Sequence, residues 1–218
     1  SLNLNLDEVE YHLQRDPSIR GIIFAHVLGN PPDMDRLMDL VKKYDLIFFE
    51  DSCDALGSYY DGKKLGSFGH MSTCSFFPAH HMTLGEGGFV ATNDRKARMV
   101  LASIRDWGRA CYCNTMKPGS VTQGTACGNR FRNRFKNWLP GLKDAVYDHR
   151  YVFDEIGYNL KPLELQASIG LQQIKKLPVM DEARRKNHSK LNEIFGKYEK
   201  YFYLPSATEK ADPCWFGY

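Results

Sequence analysis

The sequence predicts an α/β fold built on a parallel sheet, and three observations support this class. Two short apolar runs, at residues 21–25 and 46–49, have the length and composition of buried strands. Between them lies a segment with apolar residues at helical spacing: Met34, Leu37, Met38 and Val41. Short connections join these three elements into a strand–helix–strand unit, which indicates parallel strands.

The remaining elements follow from the same periodicities. Asp33 is a candidate N-cap for the first of these helices, and Lys42 and Lys43 suit its carboxyl end. The other predictions, in chain order, are a helix over 6–13, strands over 72–77 and 88–92, a helix over 94–107, an irregular stretch over 110–150, a helix ending at 177 and a helix over 181–198. Five residues define one face of the helix that ends at 177: Leu163, Ala167, Gly170, Ile174 and Leu177.

Composition excludes several classes of protein. The chain has 218 residues, 43% of them hydrophobic and 25% charged, which is ordinary for a globular protein and excludes disorder, collagen and coiled coil. The net charge of +3 does not indicate nucleic acid binding. A basic run at 130–136 is interpreted as a solvated loop, or as a contact to a phosphorylated ligand or an acidic partner. The longest apolar run, at 21–28, is too short to span a membrane, and no signal peptide is recognisable, so we predict a cytoplasmic protein.

Six cysteines are present, and in a reducing compartment they do not predict a disulfide framework. Cys74 and Cys214 are predicted to be buried free thiols. The clustering of the others around 111–127 indicates a metal or redox role. The chain begins at Ser1 and stops in apolar sequence, which predicts truncation at both ends.

Candidate site residues follow two of the predicted strands, at the edge where open α/β sheets bind ligands. Asp51 ends the first of them and can serve a protonated ring nitrogen or cap the following turn. Ser75 begins the stretch after the second strand and can donate to a phosphate. A glycine-rich turn at 85–88 then permits close backbone approach.

Three segments in order resemble the DegT/DnrJ/EryC1/StrS sugar aminotransferase family of the pyridoxal-phosphate (PLP) fold-type I superfamily. They are Glu50–Gly57, Ser75–Gly88 and Gly157–Ala167, the last with Lys161-Pro162 in place of the family's Arg-Met. The resemblance covers essentially the whole chain. It implies a three-layer α/β/α sandwich with a mainly parallel sheet, of the aspartate-aminotransferase type. It also implies that residues 1–177 are part of the cofactor-binding large domain and that 178–218 are a linking helix and the start of the small domain.

His80 occupies the position of the family's catalytic lysine. A lysine amine forms a Schiff base and moves a proton, whereas an imidazole can only move the proton. The resemblance therefore implies the sugar 3-dehydratase branch, which holds pyridoxamine phosphate (PMP) non-covalently and serves 3,6-dideoxyhexose and lipopolysaccharide biosynthesis. It implies that Asp51 binds the ring nitrogen and Asp54 lies near the ring. Ser75 and Asn159 would contact the cofactor phosphate, Asn159 across a homodimer interface.

The cysteine spacing distinguishes two kinds of 3-dehydratase. Those that act on CDP-4-keto-6-deoxyglucose resemble Cys-x57-Cys-x-Cys-x7-Cys and hold a [2Fe–2S] cluster. Here 57 residues separate Cys53 from Cys111, Cys113 follows, and 13 residues rather than seven precede Cys127. The pattern implies that these four cysteines ligate a cluster, with zinc as the chemical alternative. Because Cys53 lies two residues after Asp51, the cluster would sit within about 10 Å of the cofactor ring.

The implied reaction is removal of the C3 hydroxyl of CDP-4-keto-6-deoxyglucose, with electrons supplied by a flavin and iron–sulfur reductase through the cluster. Three alternatives stay open. One is a cluster-free PMP 3-dehydratase, and another is a PLP-dependent nucleotide-sugar aminotransferase, which His80 opposes. The third is an inert metal-binding relative that keeps the cysteines and binds no PMP.

Overall fold

The structure, a computed structural model, describes residues 2–110, 148 and 151–218. They form two compact units: unit 1 comprises the chain up to Ala91 together with Leu163–Tyr218, and unit 2 is Thr92–Pro162. Three predicted cluster ligands, Cys111, Cys113 and Cys127, lie outside the described residues, as does the basic run at 130–136. Within the described ranges, no helix combines the length and the apolar character needed to cross a bilayer.

Unit 1 is built on a four-stranded sheet with the order β1-β2-β5-β6. The pairs β1–β2 and β2–β5 are parallel, as the predicted strand–helix–strand unit requires. Its elements are α1 (Leu6–Arg15), β1 (Gly21–Ala25), α2 (Met34–Lys43), β2 (Ile47–Asp51), β5 (Met71–Ser75), β6 (Gly88–Thr92) and α4 (Glu164–Phe195). The α/β class and the predicted strands are confirmed.

One face of this sheet carries the hydrophobic core. Phe24 and Phe48 stack with ring centroids 5.5 Å apart, and Phe48 is fully buried. Met34 and Leu37 of α2 complete the same cluster. Side chains alternate along β2, so the neighbours of Phe48 point to the other face, where Ile47 is 49% exposed.

Side-chain caps begin the helices where the sequence predicts them. The Asp33 carboxylate accepts the amide hydrogen of Arg36 and starts α2. Asn5 caps α1 in the same way by accepting from the amide of Asp7. Leu6 and Leu13 of α1 lie in the same core cluster as Leu37 of α2, so both helices pack on the core side of the sheet.

The predicted break between two closing helices is wrong, because α4 is one helix of 32 residues with Pro178 inside it. A proline removes one backbone hydrogen bond and kinks a helix but need not end it, and good helix formers flank this one. The predicted apolar face is wrong in part, since Gly170 is buried whereas Leu163 and Ile174 are more than half exposed. The boundary after residue 177 falls inside α4 and stays a prediction.

A second, three-stranded sheet was not predicted. Its strands are β3 (Tyr59–Tyr60), β4 (Lys63–Lys64) and β7 (Ala211–Asp212), in the antiparallel order β4-β3-β7. Two-residue strands carry no periodicity, so the sequence offered no signal for them. β7 joins the C-terminal segment to the loop that follows β2.

Unit 2 contains α3 (Arg95–Arg105), within the predicted helix over 94–107, and the Asp94 carboxylate caps it by accepting the amide hydrogen of Ala97. After the helix, Asp106 and Arg109 form isolated bridges with Asn159 and Phe153. The buried Asp106 carboxylate lies 2.7 Å from the Lys161 ammonium and 3.1 Å from the Arg109 guanidinium.

Candidate active site

Asp51 ends β2 on the sheet face opposite the core. Its Oδ1 accepts the amide hydrogen of Cys53 at 3.1 Å and the hydroxyl of Thr73 at 3.2 Å. The first bond is the turn cap that Asp residues commonly make, and the second comes from the register partner of Asp51 on β5. The two donors fix the orientation of a half-buried carboxylate at the carboxyl end of the sheet.

Glu50 lies on the other face, directly behind Asp51, and is 1% exposed. Its Oε1 accepts the amides of Phe68 and Gly69 at 2.6 and 2.5 Å, and its Oε2 accepts the amide of Gly66 at 2.7 Å. The imidazole Nε2 of His26 lies 3.1 Å from Oε2. Burial by itself raises the pKa of Glu50, but the hydrogen bonds from His26 and these amides hold it below its ordinary value.

His80 lies in the turn after β5, with its Nε2 3.6 Å from Oδ1 of Asp54. That distance suits an ion pair when the imidazole is protonated. The ring lies between Phe77 and Phe216, whose centroids are 6.3 and 5.3 Å away. Its buried Nδ1 has no hydrogen-bond partner among the described residues. The structure therefore brings together two residues that the resemblance names, His80 and Asp54.

Ser75 ends β5, and its Oγ accepts the amide hydrogen of Phe77 at 3.2 Å. The hydroxyl hydrogen stays available to donate, as phosphate binding would require. The glycine-rich turn closes beyond it, with Gly85 at φ +82° and the amide of Phe76 donating to the Gly87 carbonyl. Gln166, at the start of α4, donates to the carbonyl of Glu86.

Asn159, the second predicted phosphate ligand, is an exposed residue of unit 2. Its one described pairing is the bridge to Asp106. Lys161, where the family has arginine, pairs with the same carboxylate. The predicted role of Asn159 toward a cofactor stays a prediction.

Cys53 is half-buried, and burial together with the neighbouring Asp51 raises its pKa to about 12. The thiol is therefore neutral in the absence of a metal. In the part of the chain that the structure covers, no three His, Cys, Asp or Glu side chains group as metal ligands. Cys74 and Cys214 are free and buried, as the sequence predicted.

Sequence reasoning missed the C-terminal segment 214–216, which packs beside the predicted site. The Nε2–H of His81 donates to the Cys214 carbonyl at 2.7 Å, and the Cys214 amide donates to the Ser58 hydroxyl at 2.8 Å. Arg184 of α4 donates to the carbonyls of residues 215 and 216. These partners lie far apart in sequence, so no local pattern revealed them.

Burial shifts the pKa of two groups at this contact, the His81 imidazole and the Cys214 thiol. Burial lowers the pKa of His81, although its bond to the Cys214 carbonyl acts in the opposite direction. Burial and the carboxylate of Asp181 raise the pKa of Cys214 to about 12, and the thiol donates to Asp181 at 3.2 Å. Hydrogen bonds with His81, Arg184 and Asp181 thus hold the segment next to His80.

The parallel sheet, with the candidate residues at its carboxyl edge, has the fold of the PLP fold-type I proteins. Among solved structures, GDP-4-keto-6-deoxymannose-3-dehydratase with bound GDP-perosamine is 29% identical, with a TM-score of 0.73 over 99% of this chain and 50% of that one. The E. coli GDP-4-keto-6-deoxy-D-mannose-3-dehydratase with bound hydrated PLP is 30% identical, with a TM-score of 0.69 over 96% of this chain and 48% of that one.

The profile of the DegT/DnrJ/EryC1/StrS aminotransferase family matches residues 1–218, and the chain belongs to this family. Lipopolysaccharide biosynthesis protein RfbH of Salmonella typhimurium is 41% identical over 91% of this chain and 43% of that protein. The dTDP-4-dehydro-2,6-dideoxy-D-glucose 3-dehydratase of Saccharopolyspora spinosa is 42% identical over 91% of this chain and 40% of that protein. The chain spans less than half the length of these two relatives.

Proposed function

We propose that this protein catalyses PMP-dependent removal of the C3 hydroxyl from a nucleotide-linked 4-keto-6-deoxyhexose. The observation that carries the proposal is His80, which replaces the family's lysine and lies 3.6 Å from the Asp54 carboxylate. Two similar proteins bear the name of sugar 3-dehydratases. A third is named for lipopolysaccharide biosynthesis, which agrees with such a product.

The described residues fit a pyridoxamine cofactor. Asp51 offers an oriented carboxylate for a protonated ring nitrogen, and Ser75 retains a hydroxyl hydrogen for a phosphate oxygen. Asn159 would provide a second phosphate contact from the partner subunit of a homodimer. When bound, PMP would supply a primary amine and a ring that accepts electrons.

His80 carries the proton in this proposal. Imidazole cannot replace the lysine as a Schiff-base amine, but it accepts and returns a proton near neutral pH. Asp54 is placed to pair with the imidazolium once the proton has been accepted. Phe77 and Phe216 flank the ring and restrict its movement.

The finer assignment is a CDP-4-keto-6-deoxyglucose 3-dehydratase of the cytoplasm that receives electrons from a flavin and iron–sulfur reductase. It rests on the spacing of Cys53, Cys111, Cys113 and Cys127 and on the closeness of Cys53 to Asp51. The [2Fe–2S] cluster on these thiolates would relay the electrons.

Substitution of His80 tests the proposal. The purified protein is expected to bind PMP, and His80→Lys is expected to retain PLP covalently after borohydride reduction. His80→Asn should bind PMP with normal affinity and lose dehydration of nucleotide-linked 4-keto-6-deoxyhexoses, while the exposed control His12→Asn keeps it. Transamination by the unmodified protein would indicate an aminotransferase, and absence of PMP binding would indicate an inert relative.

Metal analysis tests the finer assignment separately. After anaerobic purification, we expect about two iron and two acid-labile sulfide per chain. Loss of both in a Cys53→Ser variant would support that ligand. Formation of the 3-deoxy sugar by an iron-free protein without a reductase would assign a cluster-free 3-dehydratase, and bound zinc would contradict the relay.

A further inference from the structure

Glu50 binds the turn that leads into β5. Three backbone amides of the turn at 66–69, those of Gly66, Phe68 and Gly69, donate to its two carboxylate oxygens at 2.5–2.7 Å. The imidazole of His26, from the end of β1, contributes a fourth contact at 3.1 Å. A carboxylate accepts on both oxygens, so a single side chain joins β1, β2 and the turn at 66–69.

The turn lies so close to β2 that two of its positions require glycine. A Cβ on Gly69 would lie 2.7 Å from the Phe48 carbonyl oxygen, and one on Gly66, at φ +84°, would lie 3.0 Å from the Ser52 hydroxyl. Immediately after the turn, the amide of His70 donates to the Phe48 carbonyl at 2.8 Å. These contacts therefore fix the register in which β5 begins to pair with β2.

The register decides which side chains of β5 lie on the same face of the sheet as Asp51. In the observed register, Glu50 faces Ser72 and Asp51 faces Thr73, whose hydroxyl donates to Asp51 at 3.2 Å. A shift by one residue would turn Thr73 to the core face and remove that donor. Ser75 lies two residues farther along the same strand, so it moves with Thr73.

We infer that Glu50 is a positioning residue for the cofactor site: it holds the register of β5 and thereby keeps the Thr73 hydroxyl on Asp51. This inference rests on the proposed function, because Asp51 is the residue assigned to the cofactor ring. Glu50 itself faces the core and touches no reactant. His26 supports it as the partner of its carboxylate.

The test is a double-mutant cycle in PMP affinity, measured by titration of the purified protein. Glu50→Gln replaces one carboxylate oxygen by an NH₂ group, which cannot accept from the backbone amides of the turn. Thr73→Val removes the hydroxyl at nearly constant volume. Each variant is expected to weaken PMP binding about tenfold, the value of one charge-assisted hydrogen bond. Because both act through the same contact, the double variant should be little weaker than either single one. Thr73→Ser and the exposed change Glu199→Gln are the matched controls and should bind PMP normally.

A crystal structure of Glu50→Gln separates this inference from the proposed function. Loss of the Thr73–Asp51 contact supports the inference even if the unsubstituted protein binds no PMP, an outcome that would refute only the function. Retention of that contact, or fully additive losses of PMP affinity, would overturn the inference. If Glu50→Gln does not fold, Glu50→Asp keeps the charge but shortens the side chain so that it cannot reach all three amides, and the same cycle with Thr73→Val should show the same non-additivity.

Discussion

Two adjacent histidines at the end of β5 lie in opposite surroundings. His80 faces a carboxylate, at 3.6 Å from Asp54, and is partly exposed. His81 is 2% exposed and donates to a backbone carbonyl, that of Cys214. Burial lowers the pKa of His81 and favours its neutral form, whereas His80 has beside it an anion that suits a proton carrier.

The comparison shows that the atom paired with a histidine, rather than the residue type, distinguishes a candidate catalytic side chain from a structural one. Both side chains contact the ring of Phe216, with centroids 5.3 and 6.0 Å away. The His81 imidazole binds the C-terminal segment by a hydrogen bond, whereas the His80 imidazole only lies beside the ring of Phe216. Substitutions at 80 should therefore affect the reaction, and substitutions at 81 should affect stability.

The largest expected effect is on turnover. His80→Asn should lower dehydration by about a thousandfold, in the range that a general acid–base group contributes. Its free energy of unfolding in urea should change by less than about 1 kcal/mol, since the residue makes no buried hydrogen bond to a described partner. A stability loss that accounts for the loss of activity would break the contrast between the two histidines.

His81→Leu should show the reverse pattern. The substitution leaves the buried Cys214 carbonyl without its donor, which costs about 1–3 kcal/mol in the free energy of unfolding. Urea denaturation would measure this loss. At a temperature where the variant is folded, its PMP affinity should match that of the unsubstituted protein, and an unchanged unfolding midpoint would contradict the anchoring role.

Acid should destabilise the protein through the buried histidines. Burial lowers the folded-state pKa of both His81 and His188, whereas the unfolded chain binds protons near the ordinary value of about 6.5. The unfolded state then carries more protons between the two values, so the free energy of unfolding falls as pH decreases through this window.

Denaturation midpoints between pH 8 and pH 5 measure that slope. His81→Gln can still donate to the Cys214 carbonyl and does not titrate, so its slope should be shallower. An identical slope would assign the acid sensitivity to other groups.

The smallest expected effect concerns Cys214, whose thiol should not react with alkylating reagents in the native protein. Its thiol is fully buried, with a pKa of about 12, and thiolate is the reactive form. Iodoacetamide at pH 8 should leave this sulfur unmodified in the native protein and label it in urea, as read by peptide mass spectrometry. Native labelling at a rate typical of free thiols would indicate that the C-terminal segment opens.

Much of unit 1 could be predicted from local patterns. A short apolar run placed β2, helical spacing and Asp33 placed α2, and the edge rule put Asp51 and Ser75 at the carboxyl ends of their strands. These signals are short-range, so they are present in a single sequence. The resemblance put His80 at the lysine position and Asp54 near the cofactor ring, and the structure brings these two side chains together.

What could not be predicted depends on contacts between distant residues. The Cys214 carbonyl lies 133 residues from His81 in sequence, and Glu50 binds backbone amides rather than side chains. Pro178 misled the prediction because its local cost is outweighed by the rest of the helix. Long-range hydrogen bonds to the backbone leave no compositional trace.

The unbroken course of α4 has a mechanical consequence. Its 32 residues extend about 48 Å, and its first turn contacts the glycine-rich turn through Gln166 while Arg184 binds the C-terminal segment. The hydrogen bond between the carbonyl of Ile174 and residue 178 cannot form, so stiffness is lowest there. Bending of the helix between its contacts at Gln166 and Arg184 should therefore concentrate at Pro178.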